Sequence, residues 1–152
     1  MSNITHITGD LFKAPTGVIL VHACNTLGSW GGGIAVAFKE RYPSHFETYN
    51  AHCKAHTSAE LIGTCLVLRG GTEGAHDVAC LFTSKAYGKR TDTPDEILDA
   101  TRKAVLDLVR QNEDNKDLHA CRFNSGKFSV PWEDTEQILQ ELGVKMTIYT
   151  PQ

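Results

Sequence analysis

Two short segments of this chain, Val18-Ile19-Leu20-Val21 and Val78-Ala79-Cys80-Leu81-Phe82, carry apolar side chains at every position. Successive side chains of a strand point to opposite faces, so strands of this kind have no face to offer to water and need cover on both. They predict central strands with helices packed on each side. Four more short runs, at 4–8, 65–68, 118–123 and 145–149, are bounded by glycine or polar turns and complete six predicted strands with 18–23 and 78–83. The runs at 118–123 and 145–149 mix in polar residues and are expected to be less buried.

Helical spacing is clearest between Pro94 and Gln111, where Ile97, Ala100, Ala104, Val105 and Leu108 share a face and Asp95 and Glu96 occupy the first turn. A second helix is expected from Pro131, with Ile138, Leu139 and Leu142 inward and a stop at Gly143. A third follows a glycine run, carries Ile34, Ala35, Ala37 and Phe38, and is interrupted at Pro43; residues 45–55 add another helical piece. The order β-β-α-β-β-α-β-α-β describes a three-layer α/β fold, in which ligands sit beyond the carboxyl ends of central strands. A chain of 152 residues has the length of one domain, here residues 1–152, and can bury about 70% of its surface. Its composition, 41% hydrophobic and 22% charged, excludes a disordered, collagen-like or coiled-coil chain.

The charge balance narrows the partners. Fifteen Lys and Arg stand against eighteen Asp and Glu, so the basic excess of a groove-tracking nucleic-acid binder is missing and nucleic acid is not expected as the main ligand. No apolar run approaches 18 residues, and Met1-Ser2-Asn3 begins neither a basic nor an apolar leader region, so neither membrane spanning nor secretion is expected. Cys24, Cys53, Cys65, Cys80 and Cys121 are odd in number and scattered, which suits reduced thiols and a cytoplasmic or nuclear location.

The most informative stretch is His22-Ala23-Cys24-Asn25-Thr26-Leu27-Gly28-Ser29-Trp30-Gly31-Gly32-Gly33-Ile34-Ala35, which leaves a buried strand through a polar turn and enters a helix. Gly31, Gly32 and Gly33 let main-chain N–H groups approach a ligand closely, and the helix start adds unpaired donors, an arrangement suited to phosphate. A plain strand-to-helix turn is the alternative. The spacing is not that of a dinucleotide-binding turn, and neither Gly88-Lys89-Arg90 nor Gly126-Lys127-Phe128 completes a nucleoside-triphosphate loop. A second strand-to-helix loop, Asn124-Ser125-Gly126-Lys127-Phe128-Ser129-Val130-Pro131-Trp132, is either a turn or the other half of a diphosphate grip. Gly9-Asp10-Leu11-Phe12, after the first strand, is by itself an ordinary turn.

Taken together, these three elements resemble the macrodomain family over nearly the whole chain, and most of all the small fungal-type ADP-ribose 1''-phosphate phosphatases. The resemblance implies an α/β/α fold around a mixed sheet of about six strands and a site for ADP-ribose or ADP-ribose 1''-phosphate. Asp10 would accept from the adenine amino group, with Leu11 beside it; Gly31, Gly32, Gly33, Ile34 and Ala35 would supply donors to the diphosphate. Ser125, Gly126, Lys127, Phe128 and Ser129 would supply them from the other side. Asn25 would orient the distal ribose, Phe128 would pack on it, and Tyr149 would either line the adenine side or pack in the core. The chain departs from the family pattern at Ser129, where a glycine is usual, and at Lys127, where an apolar residue is usual. Lys127 either stands beside a substrate phosphate or points to water. Many hydrolytic relatives carry an acidic residue in this loop, and this chain has none.

The implied activity is hydrolysis of phosphate from C1'', with Asn25 fixing the ribose and His22 as the acid/base candidate, since imidazole titrates near neutral pH. A core histidine is the alternative for His22. Removal of mono-ADP-ribose from modified proteins, or a reader that binds without turnover, are the alternatives for the chain. Nothing in the sequence calls for a metal or other cofactor: His52, Cys53 and His56 lack further ligands at zinc spacing, and Cys24 reads as an inert thiol among apolar neighbours. Some macrodomain hydrolases use a lysine after the strand equivalent to 78–83. Here the matching position is Ser84, and Lys85, one residue later, is expected on the opposite face, in solvent.

Overall fold

Six strands, β1 (Ile4–Thr8), β2 (Ile19–Asn25), β3 (Cys65–Leu68), β4 (Asp77–Ser84), β5 (Leu118–Cys121) and β6 (Met146–Thr150), form one sheet in the computed structural model, which describes residues 3–71 and 75–152. Met1 and Ser2, on which part of the expectation about a leader rests, lie outside the described residues. The strand order is β1-β6-β5-β2-β4-β3, parallel throughout except for β3, which runs antiparallel to β4. The two all-apolar runs are central neighbours: Leu20 pairs with Val78 and Val21 with Ala79, and β4 is buried along its whole length.

The helices are α1 (Ile34–Arg41), α2 (Pro43–Lys54), α3 (Ser58–Leu61), α4 (Pro94–Gln111) and α5 (Trp132–Leu142). Side-chain alternation divides the interior in two. Ile19, Val21, Ala79 and Leu81 face α4 and α5 through Ala104, Val105, Leu108 and Leu139, while Leu20, Cys24, Val78 and Phe82 face α1 and α2 through Phe38, Tyr49 and Cys53. Thr93 and Glu96 close a capping box at the start of α4, and Pro94 takes its first position. α3, not foreseen, is one turn held by a capping box between Thr57 and Glu60. Pro43 does not merely interrupt the third expected helix; it begins α2, with Tyr42 joining the two. Pro131 precedes α5 instead of opening it, and Gly143, at φ 69°, ends it.

Strand ends decide where the site lies. β2 runs on to Asn25, two residues beyond the expected end, because a register shift after Cys24 sets Asn25 opposite Ser84. β5 stops at Cys121, where the Phe123 N–H turns back to the Cys121 carbonyl at 2.9 Å. The carboxyl ends of the parallel strands therefore open on one edge of the sheet, with β2 and β5 adjacent there. No helix among the described residues is long and apolar enough to cross a membrane.

Candidate functional site

Asn25, the last residue of β2, organises the turn that follows. Its Oδ1 accepts from the N–H groups of Leu27 at 3.0 Å and Ser29 at 3.3 Å, and its Nδ2 donates to the Ser29 carbonyl at 2.8 Å. From below, the Tyr49 hydroxyl donates to the Asn25 carbonyl. Oδ1 is thus occupied, and Asn25 keeps one N–H of its amide for a ligand. The glycine run then leads into α1. Gly33 adopts φ 60°, ψ −143°, a conformation essentially restricted to glycine, and so turns the chain into the helix. The N–H groups of Gly31, Gly32, Ile34 and Ala35 have no main-chain partner among the described residues, which leaves them for an anion at the positive end of α1.

The second loop hangs from Asn124, which is buried at φ 69°. Its Oδ1 accepts from Thr83 Oγ1 at 2.8 Å and its Nδ2 donates to Thr101 Oγ1 at 2.9 Å. The Val130 N–H returns to the Asn124 carbonyl at 2.8 Å and the Ser129 N–H to the Gly126 carbonyl at 3.1 Å. Of the five residues expected to give donors here, Ser125 and Ser129 spend theirs inside the loop; Gly126, Lys127 and Phe128 retain theirs. Ser129 holds φ 59° without being glycine.

Both loops and the Gly9-Asp10 turn line one cleft of about 1230 Å³, somewhat roomier than the ~300–1,000 Å³ usual for small-molecule sites. Asp10 caps a short turn through Oδ1, which accepts from the Phe12 N–H at 2.9 Å, and its Oδ2 lies 4.0 Å from Arg41. Leu11, Phe128 and Tyr149 line the cleft as expected. Tyr149 is largely buried, its hydroxyl 2.8 Å from His119 Nδ1, so it serves packing and wall together. The charged lining consists of Lys13, Arg122 and Lys127 against the single carboxylate of Asp10. Among the described residues none of the three cations has an ion-pair partner. The charged side chains of the lining therefore carry a positive excess.

His22 is not part of it. The ring is wholly buried, stacks on Phe38 at 4.0 Å and meets Trp30 edge-on at 5.1 Å, so the acid/base position expected for it at the pocket is corrected to a core position facing α1. No histidine lines the cleft among the described residues. What His22 does touch is Cys24, whose Sγ lies 3.5 Å from Nε2 and which itself borders the cleft. Burial pushes the Cys24 thiol up, but a hydrogen bond from Cys80, the charge and hydrogen bond of His22, and the Trp30 N–H outweigh it and lower the thiol to about 5. Trp30 Nε1–H is otherwise buried without a hydrogen-bond partner. The partners of Cys24 come from its own strand, from β4 and from the turn after β2, and the thiol itself stays buried. His22, Cys24 and Cys80 bring three ligand atoms within 4.8 Å of one another, one ligand short of a structural zinc set.

Lys85 stands where it was expected. Its main chain is pinned by Thr26 Oγ1, which donates to its carbonyl, and by Asp92, which accepts from its N–H, while its side chain is exposed beside Asp92, Glu96 and Asp99, outside the cleft. Ser84 is buried, its hydroxyl donating to the Ala86 carbonyl and accepting from the Asp92 N–H. Lining residues that the sequence reading did not assign to the site include Phe12, Lys13, Ser29, Tyr87 and Arg122. Tyr87-Gly88 follows the carboxyl end of β4, and that position in a glycine turn was the available signal.

The family model described as "Macro domain" matches residues 21–139. The chain is similar to a protein of Chaetomium globosum named ADP-ribose 1''-phosphate phosphatase, 45% identical over 92% of this chain and 85% of that one. Among solved structures it resembles the macrodomain of Mycobacterium tuberculosis DarG, with a TM-score of 0.77, 30% identity and 100% of both chains covered. It also resembles Thermosipho africanus DarTG in complex with ADP-ribose, with a TM-score of 0.77, 18% identity, all of this chain and 42% of that one.

Proposed function

This chain belongs to the macrodomain family, and from that premise we propose that it binds ADP-ribose and hydrolyses ADP-ribose 1''-phosphate to ADP-ribose and inorganic phosphate. The observation that carries the proposal is the lining of the cleft: two loops whose main-chain N–H groups lack main-chain partners among the described residues border one space, with three cations that have no ion-pair partner among those residues against one carboxylate. A diphosphate fits between the loops. Asp10 is assigned to the adenine amino group at one end, and Asn25, through its remaining N–H, to the hydroxyls of the distal ribose at the other. Tyr149 and Phe12 form the wall on the Asp10 side.

The mechanism needs no histidine at the reacting centre. Hydrolysis of a phosphate monoester passes through a loose transition state in which positioning and charge stabilisation do most of the work, so fixed N–H groups and cations are the relevant equipment. Asn25 contributes by holding the ribose so that C1'' and its phosphate stay at the mouth of the glycine run. Support for the phosphatase over a lysine-dependent hydrolase comes from Lys85, which faces away from the cleft. The phosphatase name carried by the Chaetomium globosum relative points the same way.

Calorimetric titration with ADP-ribose, ADP and adenosine tests the binding half. Affinity in the order ADP-ribose, ADP, adenosine is expected, because the first alone engages Asp10, both loops and Asn25. Equal affinity for adenosine and ADP-ribose would remove the two loops from the site.

A further inference from the structure

The Lys127 side chain lies over the glycine run. A methyl group added to Gly32 would come within 3.3 Å of Lys127 Cε and 3.5 Å of its Cγ, whereas one added to Gly33 would meet only Cγ, at 3.6 Å. The stem therefore crosses from the second loop to the first, lies over Gly32, and draws away from Gly33 as it nears the ammonium. Gly33 and the start of α1 carry the donors suited to a diphosphate, and beyond Cγ the Lys127 stem lies over Gly32 and not over Gly33. No carboxylate among the described residues pairs with it.

We propose that Lys127 reads the phosphate on the distal ribose, and so separates ADP-ribose 1''-phosphate from ADP-ribose; this rests on the ligand assignment made above. A phosphate monoester adds between about one and a half and two negative charges at neutral pH. The main-chain donors of Gly126, Lys127 and Phe128, with those of the glycine run, serve the diphosphate common to both ligands, and the ammonium is the added charge that answers the added phosphate. Of the other cleft cations, Lys13 follows Asp10 at the adenine end, and Arg122 precedes the second loop. Glycine at 32 is part of the device, since it lets the stem lie against the main chain.

The test uses the whole chain and its Lys127→Met and Lys127→Arg variants, measuring kcat/KM for phosphate release from ADP-ribose 1''-phosphate and, by calorimetry, Kd for ADP-ribose. Methionine keeps the apolar crossing and removes the charge. For Lys127→Met, kcat/KM is expected to fall about ten-fold while Kd for ADP-ribose changes less than about three-fold, a difference the size of one partly exposed charge-assisted hydrogen bond. Lys127→Arg restores most of the loss, and the discrimination of the unaltered chain shrinks as salt rises. Unchanged kcat/KM in Lys127→Met overturns the proposal, and so do equal losses toward both ligands, which would make the lysine a diphosphate contact. An unaltered chain that binds no ADP-ribose removes the ligand assignment itself, and this proposal with it.

Discussion

The Tyr49 hydroxyl lies 2.7 Å from the Asn25 carbonyl and 3.2 Å from Asn25 Oδ1, so a residue fully buried in α2 holds the end of β2 at the floor of the cleft. If Asn25 orients the distal ribose, Asn25→Ala lowers kcat about ten-fold, the value of one hydrogen bond made best in the transition state, with a smaller change in ADP-ribose affinity. Tyr49→Phe shifts kcat in the same direction and by less. Steady-state kinetics beside calorimetry reads both. Equal losses in kcat and affinity for Asn25→Ala would make it an ordinary binding contact.

Asp10 uses Oδ1 to cap its own turn and leaves Oδ2 toward the cleft and Arg41. Asp10→Ala is expected to weaken ADP-ribose at least about ten-fold, as for a hydrogen bond to a charged group. It should also abolish preference for adenine over hypoxanthine, which lacks the amino group. Retained base preference in Asp10→Ala would place the adenine elsewhere.

How far the cleft could be read in advance depended on whether the needed contacts were local. Asp10, the three glycines and the loop from Ser125 to Ser129 lie in the segments that follow β1, β2 and β5, and a parallel sheet brings such ends to one edge. His22 was misplaced because its side chain lies on the face toward α1 and α2, where Phe38 and Trp30 enclose it; that packing is tertiary and leaves no periodic trace. The surroundings of Cys24 were hidden for the same reason, its partner Cys80 arriving from β4. The contact between Lys127 and Gly32 joins residues 95 positions apart, and only the folded loops bring them together.

Ser129 occupies a left-handed conformation at φ 59°, which costs a residue with a side chain about 1–2 kcal/mol. Ser129→Gly relieves it at the expense of a more flexible unfolded chain, so stability should rise by about 1 kcal/mol and Tm by about 2–4 °C. Thermal unfolding followed by circular dichroism checks this. A fall in Tm would mean that the serine hydroxyl holds the loop more strongly than the backbone strain opposes it.

Cys24 is expected to give stability a pH dependence. Its thiol is lowered from 9.0 to about 5 in the folded chain, so between those values the unfolded chain holds a proton that the folded one has released, and stability rises with pH. The contribution is present in full above pH 9 and is lost as pH falls through about 5. Urea unfolding under reducing conditions, with Cys24→Ser as reference, should show a stability difference that grows from pH 5 to pH 9. A difference that is flat across that window would mean that the thiol is not ionised.

Lys85 is exposed, beside three carboxylates and outside the cleft. Lys85→Ala should leave turnover within about two-fold of the unaltered chain, as for a surface change away from any buried network. Trapping with substrate under reducing conditions should give no adduct on Lys85 by mass spectrometry. An adduct there would require a covalent lysine mechanism.

Release of inorganic phosphate from ADP-ribose 1''-phosphate, followed with intact ADP-ribose as co-product and set beside a mono-ADP-ribosylated protein as competing substrate, tests the proposed activity most directly. Phosphate and ADP-ribose should appear together, one for one, from the nucleotide, with no ADP-ribose freed from the protein. ADP-ribose released from the protein, with the nucleotide left untouched, would contradict the account.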